Sequence, residues 1–338
     1  MTTGQYPAAA PVEVAGIASL AVRDLLHGRH QAGHVLAIVQ DTIIAEFPGA
    51  TREPRVIAIS APDAIRLPNA IITGIPADTL TATMTTIAAA TQTAAHAAKA
   101  PKITTNKIQT SDMASASGGT VRIGGLTVLA RRWWDPSPVF GPLSRGRLDQ
   151  AAAVLSGMCR QAAHGPTLAD HDGLAVLAAS CAAGDLAGAV EGAERLVGLG
   201  AGIVPAGDSV LCGLLLALRL LGGAIPGGTR AVWLADWLSA AVTSYASQRT
   251  TPLAASLLHC AARGQAAAEV AAVLHGVAGE DPVQPAVRRL LTAKTAAVGT
   301  ADRTWGLVTG SRTAPARPGS RSPIPRSDPR CPRRRSLR

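Results

Sequence analysis

Aromatic rings are scarce in this 338-residue chain: two Phe, two Tyr and five Trp, 3% of the residues. The core must therefore be aliphatic, and a single-stranded nucleic-acid binder built on stacked rings is disfavoured. Charged residues are thin at 16%. Paired cysteines are missing too. Cys159, Cys181, Cys212, Cys260 and Cys331 form no CxxC motif, so neither a zinc ribbon nor a redox dithiol is written here. The count is odd and four of the five lie in apolar helical contexts, which predicts buried free thiols in a reducing compartment. No basic residue precedes Arg23, so no signal peptide is expected. The longest unbroken apolar run, Val210 to Leu218, has nine residues, against about 20 for a membrane span. Together these absences predict a cytoplasmic protein without a membrane partner.

Apolar residues make up 47% of the chain, enough for a large core and for two domains at roughly 100–200 residues each. The formal net charge of +10 is local. Ser311 to Arg338 holds nine Arg and one acid, Asp328, leaving 23 Lys and Arg against 21 Asp and Glu in residues 1–310. The body is nearly neutral, so a basic nucleic-acid face is expected only of the tail. That tail, with six Pro and almost no large apolar residues, reads as disordered.

Periodicity divides the rest. Val14–Leu26 has helical spacing. Short apolar runs at His34–Val39, Ile43–Phe47, Arg55–Ser60, Ala70–Thr73 and Val121–Leu129 then read as strands. Thr85–Ala98 reads as a poor helix and Pro101–Gly119 as a loop. From Leu143 onward helical spacing recurs to Ala297, punctuated by Gly165-Pro166, Gly222-Gly223 and Asp281-Pro282. The expected fold is α+β: a β-rich part over residues 1–142, a helical part over 143–310, and the tail 311–338.

The most distinctive stretch is Gly198-Leu-Gly200-Ala-Gly202-Ile-Val204-Pro205-Ala-Gly207-Asp208-Ser209. A Rossmann fingerprint needs a strand before its glycines, but Leu186–Arg195 reads as helix, and Gly-Lys-Ser/Thr of a P-loop is missing. Gly198 is better read as a helix C-cap, and Asp208 as the N-cap of a helix over Ser209–Leu221. Glycines at alternate positions let a backbone approach a ligand closely, and the free amides of a helix start form an anion cradle. A carboxylate at that cap opposes an anion, and a plain interhelical turn is the competing reading.

The same segment resembles the signature of the AllH-like family, carried here by Gly198, Leu199, Gly200, Gly202, Pro205, Gly207, Asp208, Leu211, Gly213, Leu214 and Leu215. Val204, Ala206 and Ser209 depart from it, replacing a Thr, a Ser and a second Asp. Arg132-Trp133-Trp134-Asp135-Pro136 and Arg249-Thr250-Thr251 resemble further family segments, and the similarity fades by Asp302. The resemblance implies a subunit of a carbamoyltransferase system in purine (allantoin) catabolism, in which oxalurate and phosphate interconvert with oxamate and carbamoyl phosphate, other subunits taking part. It implies a small anionic substrate, a carboxylate or phosphate, held by Gly198, Gly200, Gly202, Gly207, Asp208, Arg249, Thr250 and Thr251. Arg249 would supply a guanidinium fork. Thr250 and Thr251 serve equally as caps of a helix starting at Pro252. A non-catalytic partner subunit that has lost its site hydroxyls is the alternative.

No cofactor or metal is expected. His27, His30 and His34 have metal-like spacing, but Gly28 and Gly33 interrupt the helix they would need, and His164 with Asp170, His171 and Asp172 reads as a capped turn. Trp133-Trp134 reads as an apolar plug, and Trp233 and Trp237, one turn apart, as core or subunit contact.

Overall fold

The computed structural model describes residues 12–39, 41–49, 53–80, 113–162, 167–168, 170–292 and 300–314. It is 54% helical and 20% strand, with a β region followed by a mostly helical part. Eight strands close a barrel: β1 Val12–Ser19, β2 Gln31–Val39, β3 Thr42–Phe47, β4 Arg55–Ser60, β5 Ala70–Thr73, β6 Met113–Ser117, β7 Thr120–Ile123 and β8 Leu126–Trp134, in the order β1-β5-β4-β3-β2-β6-β7-β8. Most neighbours are antiparallel, but β1–β8 and β4–β5 run parallel.

Two expectations fail in this region. Val14–Leu26 is not one helix: Val12–Ser19 is a strand that pairs with both β5 and β8, and only the short helix α1, Arg23–His27, follows. Apolar residues recur there at a spacing helices also show, but barrel closure needs this strand, and the pairing outweighs local preference. Within the Pro101–Gly119 loop, Met113–Ser117 is a strand. Its small alternating Ala and Ser carry little strand signal of their own. Thr85–Ala98 lies outside the described residues.

Side-chain alternation fixes which face of each strand is which. Ile43, Ala45, Phe47, Ile57, Ile59 and Ile71 fill the barrel interior. The alternate residues Ile44, Val56, Ala58, Ala70 and Ile72 point outward and are buried against the helices. Strands β3 and β4 are thus covered on both faces, which is why they read as unbroken apolar runs.

The helices are α2 Arg145–Gln161, α3 Asp172–Ala183, α4 Leu186–Leu196, α5 Ala206–Leu216, α6 Thr229–Arg249, α7 Pro252–Ala262, α8 Ala268–Ala278, α9 Val283–Thr292 and α10 Thr300–Thr313. Helix α5 runs on through a π turn, Ala217–Leu221, so Ala206–Ala224 is a single helical rod of 19 residues. It is long and apolar enough to cross a membrane, yet 78% of it is buried inside the protein. Against it lies α10. A Cβ at Gly306 would come within 2.0 Å of the Val210 carbonyl oxygen, and one at Gly213 within 2.1 Å of the Arg303 carbonyl oxygen. Helix α10 continues through Ser311–Thr313, residues whose composition groups them with the tail, because Ser311 and Thr313 are buried on the rod side. Trp233 and Trp237 are not core. They stand 44% and 53% exposed on the outer face of α6, with ring centroids 6.4 Å apart, opposite the buried Ala231, Leu234, Ala235 and Leu238.

Candidate functional site

Helix α4 ends at Leu196, and Gly198, at φ +74°, turns the chain into the glycine loop. No side chain fits there, since a Cβ would lie 2.2 Å from the carbonyl oxygen of Arg249. Gly200 and Gly202 follow at φ +108° and +103°, conformations that L side chains avoid. Gly207 lies against α4, its N–H donating to Leu199 O at 2.9 Å and its missing Cβ making room for Leu196 O. The loop is therefore folded tightly onto the end of one helix and the start of another.

Asp208 is not the N-cap. Pro205 holds that position and α5 starts at Ala206, placing Asp208 in the first turn. A proline cannot donate, but its carbonyl accepts from Ser209 N at 3.1 Å, so the helix opens three residues earlier than the acid suggests. The Asp208 side chain, fully buried, turns back under the loop. Its Oδ1 accepts from Gly198 N at 3.0 Å and its Oδ2 from the Thr250 hydroxyl. Burial pushes its carboxyl above the ordinary range, and the Thr250 hydroxyl and Gly198 amide pull part of the way back.

Thr251 completes the clamp. Its hydroxyl donates to Ile203 O at 2.6 Å and accepts from Ala254 N at 3.1 Å, capping α7, whose first residue is Pro252. Arg249 reaches the loop with its backbone. Its guanidinium carbon lies 5.7 Å from the Tyr245 ring centroid, over the ring face. So Gly198, Gly207, Asp208, Thr250 and Thr251 come together beneath the loop, while Gly200, Ala201 and Gly202 form its exposed lip. From Gly200 to Val204 the amides make no hydrogen bond within the described residues, so their donors need another partner. The replaced hydroxyl positions are apolar in structure as well as sequence: Val204 is buried and Ala206 half-buried.

The family model described as oxamate carbamoyltransferase subunit AllH matches residues 196–310. Over this stretch, about a third of the chain, the sequence is similar to that family. The match starts where α4 meets the loop and ends inside α10 at Gly310, eight residues past Asp302. It does not reach the Trp133–Pro136 segment. No curated protein and no solved structure matches the chain.

Inside the AllH-like segment lies a buried polar group that sequence reasoning missed. Arg303 on α10 is 4% exposed, its Nε and one Nη have no partner within the described residues, and burial lowers its pKa. It faces Cys212, whose thiol burial raises to about 12. Cys159, Cys181, Cys212 and Cys260 are free and buried, as their apolar surroundings imply. The histidines go separate ways. His27 stacks on Trp133 with ring centroids 5.4 Å apart, and His34 approaches Glu46 at 3.8 Å. His171, not Asp172, caps α3, its ring nitrogen accepting from Gly173 N at 3.0 Å.

Proposed function

We propose that this chain is a subunit of a carbamoyltransferase of the oxamate type, acting with other subunits, and that it holds a small carboxylate or phosphate at the lip of the glycine loop. The observation that carries the reading is the run of unpaired amides from Gly200 to Val204, at the edge of a segment matched by the AllH family model. Such amides at a helix start attract an oxyanion through aligned N–H dipoles and the helix field. Asp208 serves as the loop's internal anchor and is not a contact to the ligand. Thr250 and Thr251 hold the loop in shape, and Arg249 lies close enough in sequence to add a cation.

Catalysis of this class rests mainly on orientation and on stabilising charge at a tetrahedral carbon. The chain's share is to position one anion. Calorimetry with carbamoyl phosphate and inorganic phosphate tests it: both should give saturable heat. Gly202→Val, which the φ of +103° penalises although the space there is open, should weaken binding at least tenfold with the circular dichroism unchanged. Heat that survives this substitution removes the loop from the proposal.

One observation favours a second reading, a non-catalytic partner subunit. Val204 and Ala206 supply no hydroxyls where the family pattern has Thr and Ser, and Val204 is packed into the core. Restoring both, Val204→Thr with Ala206→Ser, should raise anion affinity if the site has merely been weakened. Unchanged binding would favour the scaffold.

A further inference from the structure

A second polar concavity lies away from the glycine loop, where the barrel meets α7. It has a volume of about 410 Å³ and is lined by Asp24, Glu53, Arg55, Asn69, Ser256 and Arg263, among others. The barrel contributes Arg55 at the start of β4 and Asn69 just before β5, while α7 contributes Ser256.

Its floor has an unused acceptor. Asn69 is 2% exposed; its Nδ2 donates to Val56 O at 3.0 Å and to Ser256 Oγ at 3.3 Å, but its Oδ1 has no partner. A buried acceptor left unpaired costs about 1–3 kcal/mol, so this oxygen calls for an N–H from something not yet bound. Ser256, 5% exposed, accepts from Asn69 and keeps its own proton to donate. Acceptor and donor side by side complement an amide.

The rim supplies the charge. Arg55 gives one hydrogen bond to Gln31 Oε1, at 3.1 Å, and retains further donors. Arg263 is held by Glu53 at 2.8 Å. Asp24 and Glu53 lie on the same wall as these two cations, so a plain polyanion meets as much repulsion as attraction. A molecule with one negative end and one N–H end does not. We infer that this cleft binds a small carboxylate carrying an amide or ureido N–H, its carboxylate on Arg55 and its N–H on Asn69 Oδ1. The site is distinct from the loop, although α7 links the two: Thr251 clamps the loop, and Ser256 lies about 7.5 Å further along the axis at roughly 1.5 Å per residue.

The test is calorimetry on the full chain with oxamate, the smallest such probe, beside oxalate, which lacks the N–H, and ethyl oxamate, which lacks the charge. Oxamate should bind at least tenfold more tightly than either. Arg55→Met should abolish the heat and Arg55→Lys restore part of it, which guards against a folding defect. Ser256→Ala, the loss of one oxygen atom, should weaken oxamate at least fivefold. Gly202→Val should leave oxamate binding unchanged while removing that of carbamoyl phosphate, so the two sites fail separately. Absence of oxamate heat, equal affinity for oxalate, or heat indifferent to both Arg55→Met and Ser256→Ala overturns the inference.

Discussion

Asp208 shows what one buried carboxylate does to a loop. It is shut off from solvent, and its two oxygens take hydrogen bonds from Gly198 and Thr250, which lie on either side of the glycine loop. Burial still dominates, and its pKa is raised from 3.8. At pH below 3.8 the group is protonated both folded and unfolded, and its ionisation costs nothing. As pH rises from there toward the raised native value, the unfolded chain ionises first, so this residue takes stability away, and the loss is complete above the native value. Asp208→Asn keeps one acceptor but leaves a donor unpaired, at a cost of about 1–3 kcal/mol. Denaturant titration should find the variant less stable by that amount near pH 4, with the gap narrowing by pH 7. A gap that widens with pH means that the carboxylate is stabilised, not strained, by its pocket.

Residue-level reading of the sequence had mixed success here. The glycine spacing singled out the loop, and a left-handed Gly198 past the end of a helix follows from the C-cap rule. Thr251 followed by Pro252 announced α7. Asp208 misled, because an acid before an apolar run looks the same whether it caps a helix or folds under the preceding loop. Only the position of Thr250, 42 residues away, distinguishes the two. Asn69 and Ser256 carried no local signal at all, since their meaning lies in a contact across 187 residues.

Among the elements, the rod Ala206–Ala224 and α10 depend on each other. Their backbones approach so closely at Gly213, Gly306 and Gly310 that side chains there would overlap main-chain or Cβ atoms. Gly306→Leu forces the helices apart over a contact that buries Val210, Leu214, Leu307 and Val308. Overpacking typically costs about 1–3 kcal/mol and more where backbone must move. We expect at least 3 kcal/mol in chemical unfolding, against under about 0.5 kcal/mol for an exposed control such as Gln284→Ala on α9. A small effect at Gly306 would mean that the helices separate easily. Helices were legible from Leu143 as far as Thr292, because apolar spacing and Gly or Pro stops agree there, but α10 was not, since Thr300–Thr313 is rich in Thr, Gly and Arg and has no apolar stripe of its own. Strand β1 was not legible, as its partners come from residues 70–73 and 126–134, a pairing that no short window contains.

At the scale of the molecule, the boundary in composition near residue 142 is not a boundary between cores. Barrel residues Ile44, Val56, Ala58, Ala70 and Ile72 belong to the same cluster as the buried residues of the rod and α7. Hydrogen bonds cross as well: Arg66 N donates to Glu269 Oε2 at 3.1 Å, Ala268 N to Arg66 O at 3.0 Å and Ala266 N to Pro136 O at 2.8 Å. A barrel expressed alone, residues 1–142, would present those five side chains to water together with Ile65 and Leu67, an exposed apolar patch of the kind that drives aggregation. The full chain should therefore unfold in one transition. Trp133 and Trp134 report the barrel while Trp233, Trp237 and Trp305 report the helices. Fluorescence of variants keeping only one tryptophan group should give the same midpoint as far-ultraviolet circular dichroism, and the isolated 1–142 fragment should bind a hydrophobic dye or precipitate. Two separated midpoints, or a soluble and cooperatively folding fragment, would show that the barrel stands by itself and that the helices merely lean on it, and the backbone hydrogen bonds from Ala266 and Ala268 across the junction would then contribute little to holding the two together.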